Sequence, residues 1–312
     1  MTFLDKAKGF FVDQPKPLAA FQMASNYLTG VQLSPRDKKI KSFFTLLLEG
    51  GIIEPSFYRN NIKKKDLLSN LFEREIKKHP LTDKRIVFVL PELSQKAFVL
   101  SFDKIPTQVK ERDRLVHFRI KKQMPLLPDD ARIAYSLIPT ENQVRVLASV
   151  ARVSVIKEYE DFFGRLKINV RSVGMPFEGL VNLIGRKQKN DNTMLVNIEK
   201  DAFSLVGITS SEISLYRQKS FVLESFDEKS LKQKNDDIAL EIENTIHFIE
   251  DKEKTKMSSL WVRTGLPGDG DLMLSDLAAR LSIPVEGIET CLSGDLQPNE
   301  KQLLSPLLGH IQ

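Results

Sequence analysis

The arrangement best suited to chemistry in this sequence is a strand, a glycine turn and a helix between residues 259 and 281. Residues 259–263 (SLWVR) predict a buried strand, the next five residues, Thr-Gly-Leu-Pro-Gly, predict a turn, and residues 272–281 predict a helix. The first backbone amides of a helix have no partner within it and can bind an anion such as a phosphate. This segment is therefore a candidate nucleotide-binding turn, although the pattern alone has low specificity.

Other reactive side chains do not form a recognisable site. The acidic groups Asp129-Asp130 and Asp269-Gly270-Asp271 could hold a metal, but each falls in a predicted turn, where aspartate usually hydrogen-bonds the local backbone. Cys291 is the only cysteine and has no neighbouring partner that would predict a nucleophile. We therefore predict no metal site and no catalytic cysteine. The four histidines are scattered along the chain: His79, His117, His247 and His310.

Two segments of similar pattern predict strand meanders that could position such turns. Residues 192–221 predict three strands, and residues 18–33 predict two strands around a polar turn, which suggests a duplicated domain. A strand, or a strand pair broken at Gly50-Gly51, is predicted at 45–55. Further strands are predicted at 85–90, 97–102, 131–138, 144–151, 168–173 and 284–286. Helices are predicted at 2–11, 60–79, 107–123, 154–166, 176–184 and 229–252.

Composition limits the class of protein. The chain has 312 residues, 41% of them hydrophobic and 28% charged, which is enough to build one or two globular domains. One cysteine and the lack of a long apolar segment favour a cytoplasmic protein without a membrane span. Residues 36–85 contain thirteen Lys/Arg and seven Asp/Glu, a net charge of +6, and this predicts either a solvated basic face or contact with acidic lipid headgroups. We predict no nucleic-acid partner, because aromatic side chains do not alternate with the lysines.

The order of elements resembles the PilM family of type IV pilus assembly proteins. The resemblance extends from about residue 18 to residue 288, and its most specific parts are 115–138 (LVHFRIKKQMPLLPDDARIAYSLI), 146–173 and the meander at 195–217. The family shares the actin-like fold with cell-division FtsA and with the cytoplasmic part of the type II secretion protein GspL. The resemblance implies an α/β, actin-like (ribonuclease H-like) two-domain fold with an inserted α+β subdomain.

The nucleotide loops that this resemblance implies are degenerate. The first loop of actin-like nucleotidases, Asp-Ile-Gly-Ser-Ser, corresponds to Gln22, Met23, Ala24, Ser25 and Asn26. The second, Asp-x-Gly, corresponds to Asn197, Ile198 and Glu199, and the third, Gly-Gly, to Gly265 and Leu266. Amides in place of the two acids cannot organise Mg²⁺, and a carboxylate in place of a glycine repels phosphate. We therefore predict no hydrolysis, and ATP with Mg²⁺ is a doubtful cofactor.

The predicted division of the chain follows the same resemblance. It assigns residues 1–17 to an N-terminal tail, 18–84 and 175–190 to domain I, 85–174 to the inserted subdomain and 191–312 to domain II. In this division the strand at 85–90 lies outside the main sheet of domain I and belongs to the insertion.

The function implied is that of a non-enzymatic scaffold, cytoplasmic and peripheral to the inner membrane. The implied partners are the N-terminal cytoplasmic peptide of a PilN-like membrane protein and other pilus platform proteins. The predicted contacts for the peptide are Phe118, Lys121 and Lys122, in a groove between the first domain and the insertion. One alternative is an active actin-like ATPase or sugar-kinase-like enzyme, which would need the missing acids. Another is an FtsA-like filament protein, which would need a C-terminal amphipathic helix where this sequence has Pro306 within 302–311.

Overall fold

The computed structural model describes residues 16–139, 143–187, 192–221, 228–266 and 270–312. The strands are β1 (Ala19–Met23), β2 (Tyr27–Leu33), β3 (Ile40–Leu47), β4 (Arg85–Val89), β5 (Gln95–Phe102), β6 (Ala131–Pro139), β7 (Val144–Arg152), β8 (Asn169–Gly174), β9 (Thr193–Ile198), β10 (Ala202–Thr209), β11 (Glu212–Ser220), β12 (Ser259–Thr264) and β13 (Val285–Gly287). The helices are α1 (Lys65–Lys78), α2 (Val109–Gln123), α3 (Val153–Arg165), α4 (Pro176–Lys187), α5 (Glu228–Glu253), α6 (Gly270–Arg280) and α7 (Pro298–Ile311).

The first sheet has the strand order β3-β2-β1-β4-β8. β1, β2 and β3 form an antiparallel meander, whereas β4 pairs parallel to β1 and β8 pairs parallel to β4. Helices α1 and α3 cover one face, where Phe72 and Phe163 pack on Phe21 and Phe88 of the central strands with ring centroids 5.3–5.9 Å apart. Aromatic packing of this kind supplies much of the burial that stabilises the sheet.

The prediction that the strand at 85–90 belongs to the insertion is wrong. β4 lies inside the first sheet, with β1 on one side and β8 on the other. Its sequence, RIVFV, is apolar at four consecutive positions, which is the pattern of a parallel strand buried on both faces. The strand predicted at 168–173, placed in the insertion as well, corresponds to β8 of the same sheet.

The second sheet repeats this arrangement with the order β11-β10-β9-β12-β13. The meander β9-β10-β11 is antiparallel, and β12 and β13 follow in parallel. Helices α5 and α6 pack on its outer face through buried residues such as Ile242 and Leu277. The two meanders noticed in the sequence therefore occupy the same position in two sheets of equal strand order.

The insertion contains the antiparallel sheet β5-β7-β6, with α2 packed on it. Val116 and Ile120 of α2 are buried against Leu100 and Val146 of this sheet. The insertion begins after β4, and the chain returns to the first sheet through α3. The three-stranded sheet and α2 therefore lie within residues 95–152. The remaining boundaries of the predicted domains stay predictions.

Helices α4 and α7 lie between the two five-stranded sheets. Leu180 and Leu304, one from each helix, belong to one buried cluster that includes Val87 of the first sheet and Leu195 of the second.

None of the helices in the described residues is both long enough and apolar enough to cross a bilayer. The predicted strand at 45–55 is only partly correct, because β3 ends at Leu47. The helix predicted at 2–11 lies outside the described residues.

Candidate functional site

Three turns meet where the two sheets face each other, and they are the three degenerate loops. The first follows β1, the second follows β9, and the third follows β12, which pairs parallel to β9. The Asn26 side chain of the first turn donates a hydrogen bond to the backbone oxygen of Gly265 in the third (3.2 Å). The structure thus brings together the residues predicted for the nucleotide loops.

Six buried polar side chains fill the space between these turns: Gln22, Tyr27, Asn197, Glu199, Arg263 and Gln302. We call them the cleft cluster. Each is at most 3% exposed. The cluster takes Gln22 and Tyr27 from the first sheet, Asn197, Glu199 and Arg263 from the second, and Gln302 from α7. A polar cluster so fully buried is stable only when its members satisfy one another.

Arg263 is the centre of the cleft cluster. Its Nη1 atom forms an ion pair with Glu199 and donates to the Asn197 side-chain oxygen (3.1 Å). Its Nη2 atom donates to the Tyr27 hydroxyl (2.9 Å), and that hydroxyl in turn donates to the Glu199 carboxylate (2.9 Å). One guanidinium therefore connects the first and second sheets.

Helix α7 contributes to the cluster because of a proline. Pro306 lies inside α7 and has no backbone N–H, so the carbonyl of Gln302, four residues earlier, lacks its usual helical donor. That carbonyl instead accepts hydrogen bonds from Arg263 Nε (3.0 Å) and from the Ser305 hydroxyl (2.8 Å). The Gln302 side chain also accepts the Thr264 amide (3.0 Å). Pro306 does not interrupt the helix but leaves an acceptor for the buried arginine.

A second buried carboxylate extends the network towards the insertion. Glu92 follows β4 and accepts hydrogen bonds from the side chains of Asn197 (2.8 Å), Tyr216 (2.8 Å) and Gln218 (3.1 Å). Burial raises the pKa of Glu92, and the hydrogen bonds from Gln218 and Tyr216 oppose that shift. Asn197 therefore links the Glu92 network to Arg263.

The electrostatics follow from burial and pairing. Burial alone would lower the pKa of Arg263, but the adjacent Glu199 and Tyr27 raise it. Burial raises the pKa of Tyr27 well above its usual value. The cleft cluster therefore holds a charged guanidinium and a neutral phenol.

The residues present do not fit a magnesium nucleotide. The amides of Ala24, Glu199, Gly265 and Leu266 already donate to acceptors within the chain, at 2.7–3.1 Å, so the turns do not offer them to a phosphate. The free oxygens of Gln22 and Asn26 accept no hydrogen bond within the described residues, and an acceptor does not match a phosphate oxygen. The Glu199 carboxylate lies so close to Gly265 that a Cβ there would overlap it. The glycine of the third turn thus accommodates the chain's own carboxylate.

Asp201, in the second turn, gives a pH-dependent prediction. Burial and the nearby Glu199 raise the pKa of Asp201 to about 6. Between about pH 4 and pH 6 the Asp201 carboxyl loses its proton in the unfolded chain but keeps it in the folded chain. The ionisation of Asp201 therefore lowers the free energy of unfolding as pH rises. We expect Asp201→Asn to increase the free energy of unfolding at pH 7, by at most ~3 kcal/mol, and to leave it unchanged near pH 4. Urea denaturation at both values measures this.

The exposed Asp295→Asn serves as the control for Asp201→Asn, because it also removes one carboxylate. It should alter the unfolding free energy little at either pH. A destabilising effect of Asp201→Asn at neutral pH would contradict the prediction.

The other predicted site residues are not part of the cleft cluster. Phe118, Lys121 and Lys122 are exposed on α2, with Phe118 62% exposed. The Asp130 carboxylate accepts hydrogen bonds from the Arg152 guanidinium (2.6 Å) and the Ser154 amide (3.2 Å). These partners lower the pKa of Asp130 to about 2. Within the described residues no group of three His, Cys, Asp or Glu could hold a metal ion. Burial raises the pKa of Cys291 to about 11, which does not favour a reactive thiolate.

Sequence reasoning missed three members of the cleft cluster, Tyr27, Arg263 and Gln302, and also Glu92, which bonds to the cluster through Asn197. One signal was available, since Arg263 is the only charged residue in a predicted buried strand, SLWVR. A fully buried arginine requires a partner, and Glu199, the unexpected carboxylate of the second loop, was the obvious candidate.

Comparisons with known proteins place this fold among solved structures. Neither a protein-family model nor a curated protein matches the sequence. A structure described as the "PilM-PilN type IV pilus biogenesis complex" matches with a TM-score of 0.76 and 13% identity, over 96% of this chain and 97% of that chain. A Bacteroides thetaiotaomicron protein described as having an actin-like ATPase fold matches with a TM-score of 0.55 and 11% identity, over 92% and 94% of the two chains.

The cytoplasmic domain of EpsL, an inner-membrane component of the Vibrio cholerae type II secretion system, matches with a TM-score of 0.52 and 10% identity, over 93% of this chain and 94% of that chain. These likenesses confirm the predicted fold class and the structural resemblance to PilM. The chain therefore has the actin-like fold, with two five-stranded sheets and an inserted three-stranded sheet.

Proposed function

We propose that this chain is a non-enzymatic, cytoplasmic scaffold of an inner-membrane type IV pilus assembly or type II secretion platform. Its partner would be the N-terminal cytoplasmic peptide of a PilN-like single-pass membrane protein. The structural similarity to a chain of a PilM–PilN complex and to the EpsL cytoplasmic domain supports such a platform role. The observation that carries the peptide-binding part is a groove between the first sheet and the insertion.

The groove is a cavity of about 340 Å³ between β8 and the three-stranded sheet. β8 is the last strand of the first sheet, and β6 is the last strand of the insertion, so two sheet edges border the cavity. An exposed edge strand can add an extended peptide through backbone hydrogen bonds. The groove therefore offers backbone groups at two sheet edges and space for a few residues of an extended peptide.

The groove walls combine apolar and charged side chains. Leu90 and Ile156 supply apolar surface, and Arg132, Arg171 and Glu160 are exposed around it. Glu178, at the start of α4, also lines the groove and is held by the Ser149 hydroxyl (3.1 Å) and the Met175 amide (3.0 Å). Side chains of both signs suit a peptide with mixed charges and a few apolar anchors.

The cleft cluster supports a scaffold more than an enzyme. Phosphoryl transfer depends on positioning a metal and a nucleophile, and the turns that would do so hold an internal Glu–Arg pair instead. An active ATPase or kinase would need acids to organise Mg²⁺, and this chain has amides, Gln22 and Asn197, at those two positions. An FtsA-like filament protein would need a C-terminal amphipathic helix. In this chain α7 is instead buried between the sheets, with Leu304 and Leu307 fully covered.

The test is fluorescence anisotropy with the labelled N-terminal cytoplasmic peptide of a PilN-like membrane protein from the same organism. We expect micromolar affinity, unchanged by ATP and Mg²⁺, because the turns are already filled. Arg171→Glu should weaken binding about tenfold or more, since a hydrogen bond to a charged group contributes about 1.5–3 kcal/mol. Phe118→Ala and Lys121→Glu test the surface predicted from sequence, and we expect each to change affinity less than about twofold.

Three other results would count against parts of this proposal. Loss of binding only in Phe118→Ala or Lys121→Glu would move the peptide site to α2. Binding that requires ATP would contradict nucleotide independence. Absence of binding by folded protein, with or without ATP, would reject the scaffold proposal.

A further inference from the structure

A second cavity lies at the opposite end of the first sheet from the cleft cluster. Its volume is about 420 Å³, and its floor is apolar, formed by Phe72, Ile76, Leu81, Leu166 and Ile168. It lies between α1 and the turn that joins α3 to β8. Cavities of this size and lining commonly hold small or chain-like apolar groups.

The rim of this cavity is strongly basic. Lys77, Lys84, Arg165 and Lys167 surround it and are exposed, whereas Glu73 is the single carboxylate among its lining residues. None of the four cations forms a salt bridge with another described residue. The apolar floor and cationic rim match a ligand that is apolar at one end and anionic at the other.

Lys167 occupies a backbone conformation that usually belongs to glycine. Its φ is +57°, and its amide donates a hydrogen bond to the backbone oxygen of Gly164 (3.0 Å), where α3 ends. A glycine or asparagine normally fills this left-handed position after a helix, because a Cβ is strained there. The chain has a lysine at this position, and the lysine lines the cavity.

The surrounding face extends the positive charge. β1, β4 and β8 all start at this end of the first sheet, as the pairs Ala19–Ile86 and Arg85–Asn169 show. The turn between β2 and β3 lies at the same end and contains Arg36, Lys38 and Lys39 with only Asp37 as a carboxylate. The nearby Asp83 is neutralised by Arg85 (2.6 Å). We call the rim of the cavity and this turn together the basal face; its cations are Arg36, Lys38, Lys39, Lys77, Lys84, Arg165 and Lys167.

We propose that the basal face binds the surface of a bilayer that contains acidic phospholipid, with the anionic headgroup held by Lys77, Lys84 and Lys167 and the adjoining apolar part of the lipid in the cavity. Charge complementarity and the apolar floor support this occupant over a soluble anion, which would leave the floor in contact with water. This inference does not depend on peptide binding.

The test is flotation of the full chain with vesicles of phosphatidylcholine, with and without phosphatidylglycerol. We expect binding only to the acidic vesicles, and weaker binding at high salt. The triple variant Lys77→Glu, Lys84→Glu, Lys167→Glu should bind at least about 50-fold more weakly, because each lost cation costs about fivefold near an acidic surface. Leu81→Trp, which fills the cavity without changing its charge, should also reduce binding.

The matched control reverses three exposed cations of the insertion, Lys104→Glu, Lys110→Glu and Arg114→Glu, and so gives the same net charge. It should retain most of the binding to acidic vesicles. Equal loss in both triple variants would show a response to net charge alone and would overturn the proposal, as would the absence of vesicle binding by the native chain. Full binding by Leu81→Trp would overturn the part assigned to the cavity, and circular dichroism verifies that every variant is folded.

Discussion

Replacing Arg263 with methionine is expected to lower the free energy of unfolding by about 3–5 kcal/mol. The substitution leaves the Glu199 carboxylate 2% exposed and without its counter-ion, and it also removes the donors to Tyr27 and to the Gln302 carbonyl. A buried charge without a partner is far more costly than a missing surface ion pair. Urea denaturation followed by circular dichroism measures the loss.

The double variant Glu199→Gln, Arg263→Met separates the charge from the packing. Without the carboxylate no charge is stranded, so we expect the double variant to be more stable than Arg263→Met alone. Arg280→Met is the control, because Arg280 pairs with Asp236 and Asp276 but is 32% exposed, and it should cost about 1 kcal/mol or less. A loss in Arg263→Met no larger than that of the control would show that the Glu–Arg pair does not stabilise the fold.

The cleft cluster also joins the two halves of the molecule, each of which contains one five-stranded sheet. Here Arg263 contacts Tyr27 of the first sheet, Glu199 of the second sheet and Gln302 of α7. The chain's own charged pair thus makes the contacts that join the halves, which agrees with a scaffold that does not depend on nucleotide.

The sequence predicted most elements because their local patterns were clear. The meander at 192–221 alternates short apolar runs with polar turns and corresponds to β9, β10 and β11. The placement of β4 was not predicted, because a short apolar run shows that a strand is buried but not which strands it pairs with. The four consecutive apolar residues in RIVFV are nevertheless typical of a central parallel strand, which is buried on both faces.

The structure brings together the residues predicted for the three loops, but the side chains that fill the space between them could not be predicted from the sequence. Glu199 was interpreted only as a residue that repels phosphate, whereas its main role in the structure is to pair with Arg263, 64 residues away. No sequence pattern reports a pairing at that separation. Pro306 was likewise interpreted as an interruption, because its effect depends on which donor reaches the Gln302 carbonyl.

The central helices give the second large prediction. Gly179 of α4 and Gly309 of α7 allow the two helix backbones to touch, and a Cβ on Gly309 would overlap the backbone oxygen of Gly179. A flexible side chain could move aside, but a helix backbone packed between two sheets cannot do so without displacing both helices. We therefore expect Gly309→Ala to lower the free energy of unfolding by about 1–3 kcal/mol or more, through overpacking.

Gly185→Ala is the matched control, since it makes the same substitution in α4 at a position where a Cβ would meet nothing within 4 Å. It should stabilise the protein by up to about 1 kcal/mol, because alanine favours a helix more than glycine does. The two variants are therefore expected to change stability in opposite directions, as measured by thermal and urea denaturation. If Gly309→Ala were as stable as Gly185→Ala, the α4–α7 contact could not be the close backbone packing that joins the two sheets.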